Sequence, residues 1–181
     1  MFRWEIDSQI DLRLLEPSIA FPLYNLVEQN FDFLSKWLNW AKKASDFDYV
    51  EQYIAYAQEL YSENQGFHAG IFYENLLVGL VSFEYGKTGK SGSLGYWLIE
   101  DFNGKGIVTR SCKAIIDYAF NTLYLNRLEI RCASENFRSQ GIPIRLGFKK
   151  EGVIRHGEEL DGQIIDHILY GLTIEDFKKE N

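Results

Sequence analysis

The stretch LGYWLIEDFNGKGIVTRSCKAIIDYAF, Leu94 to Phe120, passes from an apolar strand through a loop with two glycines into a helix. Carried on to Leu123, the helical part sets Cys112, Ile115, Ile116, Ala119, Phe120 and Leu123 at i, i+3, i+4, i+7, i+8 and i+11. That is the stripe of a core-facing helix. The strand part, GYWLIE, contains Gly95, which marks a bulge or a close backbone approach. Between them Gly104 and Gly106 flank Lys105 just before the helix starts. Glycine lets a backbone come close to a ligand, because no Cβ stands in the way. The N–H groups of residues 104–109 would lack partners inside the helix, and the helix dipole there favours negative charge. Lys105, Arg110 and Lys113 add positive charge. The junction suits a pyrophosphate, and it reads equally as a plain strand-to-helix turn.

Two common nucleotide signatures are absent. No GK[ST] closes a four-residue spacer, as a triphosphate loop requires. Thr109 stands where a dinucleotide fingerprint would have its third glycine, and the preceding strand ends a hairpin series.

Working outward, Ile10, Leu12 and Leu14 alternate and predict a first strand. Pro17 to Asn30 has helical spacing through Ala20, Leu23, Leu26 and Val27. FDFLSKWLNWAKK, Phe31 to Lys43, predicts a second helical segment. Ser45 or Asp46 then caps a third helix to about Tyr61, with Val50, Ile54, Ala57 and Leu60 on one side. His68 to Glu100 breaks into three strands, with turns at Glu74–Asn75 and across Gly86–Gly92. After the glycine loop and its helix, Arg127–Cys132 alternates as a strand. A short helix around Ser139–Leu146 follows, closed by Gly147 at C′. The tail reads as a hairpin of two last strands. The class is α+β, shading into mixed α/β, with a largely antiparallel sheet.

The bulk numbers agree. The chain has 181 residues, 46% hydrophobic and 25% charged, which fits one folded domain over 1–181. No run approaches the ~20 apolar residues of a membrane span, and the charged first twenty residues do not resemble a signal peptide. Both features suggest a cytoplasmic protein. A net charge of −7 argues against nucleic acid as the main ligand. Cys112 and Cys132 read as buried small hydrophobes, and nothing clusters as a metal site. His68, His156 and His167 stand isolated in strand or turn positions.

Taken together, LGYWLIEDFNGKGIVTRSCKAIIDYAF, NRLEIRCASENFRSQGIPIRLGFKKEGVIR and DGQIIDHILYGL resemble the GCN5-related N-acetyltransferases (GNAT superfamily). The group they resemble most is that of the ribosomal-protein N-terminal acetyltransferases. The resemblance covers nearly the whole chain and implies a central twisted mixed sheet, with acetyl-CoA lying where two parallel strands splay. It places the phosphate loop on Asn103, Gly104, Lys105, Gly106, Ile107, Val108 and Thr109. Gly106 fits the family pattern, while Asn103 and Val108 depart from it at the outer positions. It points further to the backbone around Tyr96, Trp97 and Leu98 as the pairing edge for pantetheine. Asn136 is implied as a contact to the pantetheine arm, and Ser139 as the group that protonates the departing sulfur.

Acyl transfer to an amine also requires the amine to be neutral. Glu84, Glu135 and Asp166 are the carboxylates available as a base, although an α-amine with a pKa near ~8 demands less of a base than lysine does. The resemblance implies acetyl-CoA as co-substrate and no metal. Three readings follow: transfer to a protein N-terminus, with ribosomal proteins as the family-level acceptor; transfer to a small amine; or a CoA-binding module without turnover. Monomeric and homo-oligomeric states both fit the late strands.

Overall fold

Eight strands form in the computed structural model, which describes residues 3–180. They are β1 (Arg3–Glu5), β2 (Ile10–Leu14), β3 (Gly66–Tyr73), β4 (Leu76–Tyr85), β5 (Ser91–Leu98), β6 (Arg127–Ala133), β7 (Lys149–Leu160) and β8 (Gln163–Thr173). Their order in one mostly antiparallel sheet is β1-β2-β3-β4-β5-β6-β8-β7. Two tight turns set the hairpins. Glu74 and Asn75 (φ 49° and 67°) join β3 to β4, and Asp161 and Gly162 (φ 56° and 72°) join β7 to β8. Two successive left-handed residues match the twist of the flanking strands. β1 escapes sequence reading because Arg-Trp-Glu is too short to show a period.

The chain divides into two compact units. One takes in the chain up to Ser82 together with Tyr96–Ser111; the other takes in Phe83–Gly95 and the chain from Cys112 onward. In the first unit the predicted helix from Pro17 becomes a 3-10 turn, Pro17–Ile19, followed by α1 (Ala20–Gln29). The predicted segment Phe31–Lys43 splits into α2 (Phe31–Leu34) and α3 (Asn39–Lys43). Six apolar positions lie between Phe33 and Ala41, more than one ~100° stripe can bury. Breaking the helix lets Leu34 and Ala41 reach the core while Phe33, Leu38 and Trp40 pack beside it. α4 (Phe47–Ser62) starts on Asp46, whose Oδ1 accepts the Asp48 N–H at 3.1 Å. Val50, Ile54, Ala57 and Leu60 are buried, as their spacing predicts. The first three join Leu15, Leu23, Val27, Phe72 and Leu80 in one core.

The second unit is built on α5 (Ile107–Asn121), which enters it at Cys112. Cys112, Ile115, Ile116, Ala119 and Phe120 are all buried. Each large apolar side chain taken from water contributes about 1.5–3 kcal/mol. The stripe ends earlier than its period suggests: the helix stops at Asn121, and Leu125 rather than Leu123 is the next fully buried residue. α6 (Phe137–Arg145) starts two residues before the predicted helix, and Gly147 (φ 78°) follows it. The hairpin of β7 and β8 forms as expected. It is followed by an unforeseen α7 (Ile174–Glu180), whose start is fixed when the Asp176 N–H donates to Thr173 Oγ1 at 3.2 Å. Its sequence signal is T-x-x-D, a relative of the capping box. In this unit β5 and β6 pair in parallel, from Ser91↔Arg127 to Leu94↔Ile130. β5 runs on to Leu98 and β6 to Ala133, beyond that short ladder.

Candidate active site

Two groups of residues occupy the ends of β5 and β6. At the end of β5, Tyr96 and Trp97 are half-buried and Leu98 is buried. The Trp97 ring lies 5.8 Å from Trp40, which is 5.1 Å from Tyr53, so this indole packs in an aromatic wall. The backbone of β5 runs unusually close to β4 here. A Cβ on Gly79 would stand 2.2 Å from the Trp97 carbonyl oxygen and 3.0 Å from the Leu98 Cα. Sequence reading passed over Gly79, although a lone glycine inside a strand signals just such an approach. The next residue, Ile99, donates its N–H to the Val78 carbonyl at 3.0 Å.

The glycine loop follows. Gly104 and Gly106 are both left-handed, at φ 79° and 71°, a conformation that costs other residues strain. A Cβ at Gly104 would meet nothing within 4 Å, and one at Gly106 only the Arg110 Nε at 4.0 Å. The loop thus presents an open backbone face. Ile107 and Val108 point the other way, into the core. What the loop offers a ligand is therefore main chain: N–H groups at the start of α5 that have no acceptor inside the helix. This arrangement fits a pyrophosphate.

Side chains around the loop are engaged elsewhere. Asn103 donates from Nδ2 to the Glu100 carbonyl at 3.0 Å and the Ile99 carbonyl at 3.4 Å, closing the turn before the loop. Lys105 Nζ lies over the Phe102 ring at 4.4 Å. Arg110, expected to supply charge to the loop, is paired with Asp7 at 2.7 Å.

At the end of β6, in the second unit, Asn136 caps α6. Its Oδ1 accepts the Ser139 N–H at 3.1 Å, and its Nδ2 supplies two donor hydrogens. Ser139 Oγ donates to Cys132 Sγ at 3.3 Å. Gln140, which no sequence motif marks, ties the turn together. Its Nε2 donates to the carbonyls of Ser134 (2.9 Å) and Ala133 (3.2 Å), and its Oε1 accepts from Tyr170 Oη at 3.0 Å. Burial, and then the neighbouring Cys132 thiol, pushes the Tyr170 phenol above its ordinary range, so it remains a donor at neutral pH. Both cysteines are buried as expected, and burial pushes the Cys112 thiol up to about 12.

The base candidates are less well placed. Glu84 lies two residues before Gly86, whose N–H donates to the Ser91 carbonyl at 2.8 Å, so it sits by the β4–β5 turn. That register sets Glu84 opposite Ser93, four residues and about 13 Å before Trp97 along β5. Glu135 is exposed. Asp166 accepts the His156 N–H at 2.9 Å and, through its carbonyl, the Ser134 N–H at 2.8 Å, so it anchors the β7 irregularity and the end of β6. The histidines are less isolated than their sequence positions imply. His68 Nδ1 lies 2.8 Å from Tyr53 Oη, and His167 Nε2 lies 3.2 Å from Glu158. Because His167 pairs with Ala133, the last residue of β6, Glu158 is a carboxylate at the same strand end as Asn136. Among the described residues no helix is long and apolar enough to cross a membrane, and no cluster of three or more potential ligands could hold a metal.

Known proteins share this framework. Residues 9–149 match the acetyltransferase (GNAT) domain. YdaF of Bacillus subtilis (strain 168), which carries a provisional name as a ribosomal N-acetyltransferase, is 36% identical over 182 residues, covering 99% of this chain and 100% of YdaF. The solved structure of RimL, a ribosomal α-N-protein acetyltransferase in complex with coenzyme A, superposes with a TM-score of 0.89 at 26% identity, covering 97% of this chain and 99% of RimL. MccE, a microcin self-immunity acetyltransferase in complex with acetyl-CoA and AMP, superposes at 0.86 with 28% identity, covering 93% and 94%. With its mixed, mostly antiparallel sheet, the chain belongs to the GNAT family of acetyltransferases, among relatives of the RimL type, and is an N-acetyltransferase.

Proposed function

We propose that the chain transfers the acetyl group of acetyl-CoA to the α-amine of a protein N-terminus, with a ribosomal protein as acceptor. The observation that carries the co-substrate is the open, left-handed glycine pair at the start of α5. The backbone of Gly104 to Thr109 takes the pyrophosphate, and the edge of Tyr96 to Leu98 pairs with the pantetheine amides. Asn136 Nδ2 holds the same arm. The amine attacks the thioester carbon directly, so a C–N bond forms as the C–S bond breaks. A backbone N–H of β5 faces the carbonyl oxygen as charge gathers on it. Ser139 returns a proton to the departing sulfur, through water where its hydroxyl remains on Cys132. Glu158, held by His167, accepts the proton that the amine loses. An α-amine, with a pKa near ~8, needs only such modest help. RimL, with its ribosomal α-N-protein activity, supports this acceptor class.

The likeness to MccE, a self-immunity acetyltransferase in complex with acetyl-CoA and AMP, favours a second reading in which the acceptor is a small amine. One assay separates the two. The pure protein is mixed with acetyl-CoA and peptides with free or blocked N-termini, ribosomal extract, polyamines, aminoglycosides or aminoacyl nucleotides, and free thiol is followed. Thiol release with free N-terminal peptides alone is the expected result. Release with small amines alone supports the second reading, and an absence of release with every acceptor overturns both.

A further inference from the structure

The turn between β1 and β2 reaches the glycine loop. Asp7 Oδ1 accepts the N–H groups of Gln9 (2.8 Å) and Ile10 (3.0 Å), while its Oδ2 receives Arg110 Nη1 at 2.7 Å. The same Nη1 is 3.4 Å from Gln9 Oε1, and Nη2 donates to the Lys105 carbonyl at 3.3 Å. Gln9 is itself anchored, donating from Nε2 to Tyr73 Oη at 2.8 Å and to Glu74 at 3.2 Å. Lys105 lies over the rings of Phe102 and Tyr73, which pack edge to face at 5.8 Å. Burial works to raise the Asp7 carboxyl but is outweighed by the Gln9 and Ile10 N–H groups and by Arg110, so it titrates below its ordinary value and is ionised at neutral pH.

We propose that Asp7 and Arg110 form a latch that sets the Lys105–Gly106 peptide of the phosphate loop, which makes Arg110 a positioning residue and not a phosphate ligand. The proposal rests on the reading of Gly104–Thr109 as the pyrophosphate site. This peptide turns about the Lys105 ψ and the Gly106 φ, and glycine at 106 makes that rotation cheap. In a planar trans peptide the N–H points opposite to the C=O. Holding the Lys105 carbonyl on Arg110 therefore fixes the direction in which the Gly106 N–H is presented. The guanidinium is also already matched by a carboxylate, so it brings no unbalanced charge to an anion.

The two roles for Arg110 predict opposite signs at Asp7. If Arg110 is a latch, Asp7→Asn weakens acetyl-CoA binding, because the guanidinium loses its anchor and the loop peptide loses its orientation. If Arg110 is a phosphate ligand, Asp7→Asn frees it and tightens binding. Asparagine keeps an oxygen for the Gln9 and Ile10 N–H groups, so the turn itself survives.

The test is calorimetric titration of the full chain with acetyl-CoA, as wild type, Asp7→Asn, Arg110→Ala and the double variant, alongside kcat and KM. The latch predicts a rise in Kd of about fivefold in each single variant, no further rise in the double, and an effect that falls on KM rather than kcat. Unchanged or tighter binding in Asp7→Asn with weaker binding in Arg110→Ala overturns the latch, as do additive losses or wild-type affinity throughout. A wild-type protein that binds no acetyl-CoA overturns the loop reading itself, and the latch falls with it.

Discussion

Ser139→Ala is expected to lower kcat about 10²-fold, the lower end of what a positioned proton donor contributes, while acetyl-CoA binds with nearly unchanged affinity. The reason lies in how Ser139 is held. Its backbone N–H is capped by Asn136, and its hydroxyl rests on Cys132 at the end of β6. Alanine keeps the cap, because the N–H remains, and removes the hydroxyl that donates to Cys132. The start of α6 should therefore survive, and what is lost for the reaction is the route by which a proton reaches the leaving thiolate. That loss should be largest for an acetyl donor with a poor leaving group, and smallest when a thioester of a more acidic thiol is supplied. A variant with a normal rate removes Ser139 as the proton donor. One that loses acetyl-CoA affinity in step with rate would make it a binding residue instead.

Gly79→Ala is expected to destabilise the protein by about 3 kcal/mol, the upper range for an added methyl group in a packed site, which lowers Tm by about 10 °C. The new Cβ would stand 2.2 Å from the Trp97 carbonyl oxygen, a backbone atom that no rotamer change can move. β4 and β5 would have to part at Trp97 and Leu98, the edge proposed to pair with pantetheine, so acetyl-CoA affinity should fall with stability. Gly152→Ala is the matched control. A Cβ there meets nothing within 4 Å, and Gly152 carries no left-handed φ, so the effect should remain within about 0.5 kcal/mol. Equal melting temperatures for the two variants would show that the close approach at Gly79 is not a real constraint.

The parts of the molecule that sequence reading reaches are those governed by local periodicity and by glycine. The α5 stripe as far as Phe120, the Glu74–Asn75 turn, the cap at Asp46 and the Gly147 stop all follow from neighbours within a few residues, and all are found. Where many faces of a segment are apolar, as from Phe33 to Ala41, the period no longer says where the helix must break, and α2 and α3 emerge from packing. The candidate site divides in the same way. The open glycine loop was legible because its backbone conformation is written in Gly104 and Gly106. The partners of its side chains were not, because Arg110 and Asp7 lie over a hundred residues apart. Gln140 and Tyr170, thirty residues apart, meet only when α6 folds back against β6 and β8. Glu84 is a carboxylate on a middle strand, and the β4–β5 register sets it opposite Ser93, four residues before Trp97. Only register, which a lone sequence does not fix, separates such a residue from one like Glu158.

The claim on which the account rests is that the backbone of the glycine loop holds acetyl-CoA, and titration of the protein with acetyl-CoA before and after Gly106→Val tests it most directly. Gly106 sits at φ 71°, a region that a β-branched residue enters only under strain. The wild-type protein should bind acetyl-CoA. The variant should bind it at least about tenfold more weakly, with its far-ultraviolet circular dichroism unchanged. A wild-type protein that does not bind, or a folded Gly106→Val protein that binds equally well, would contradict the account.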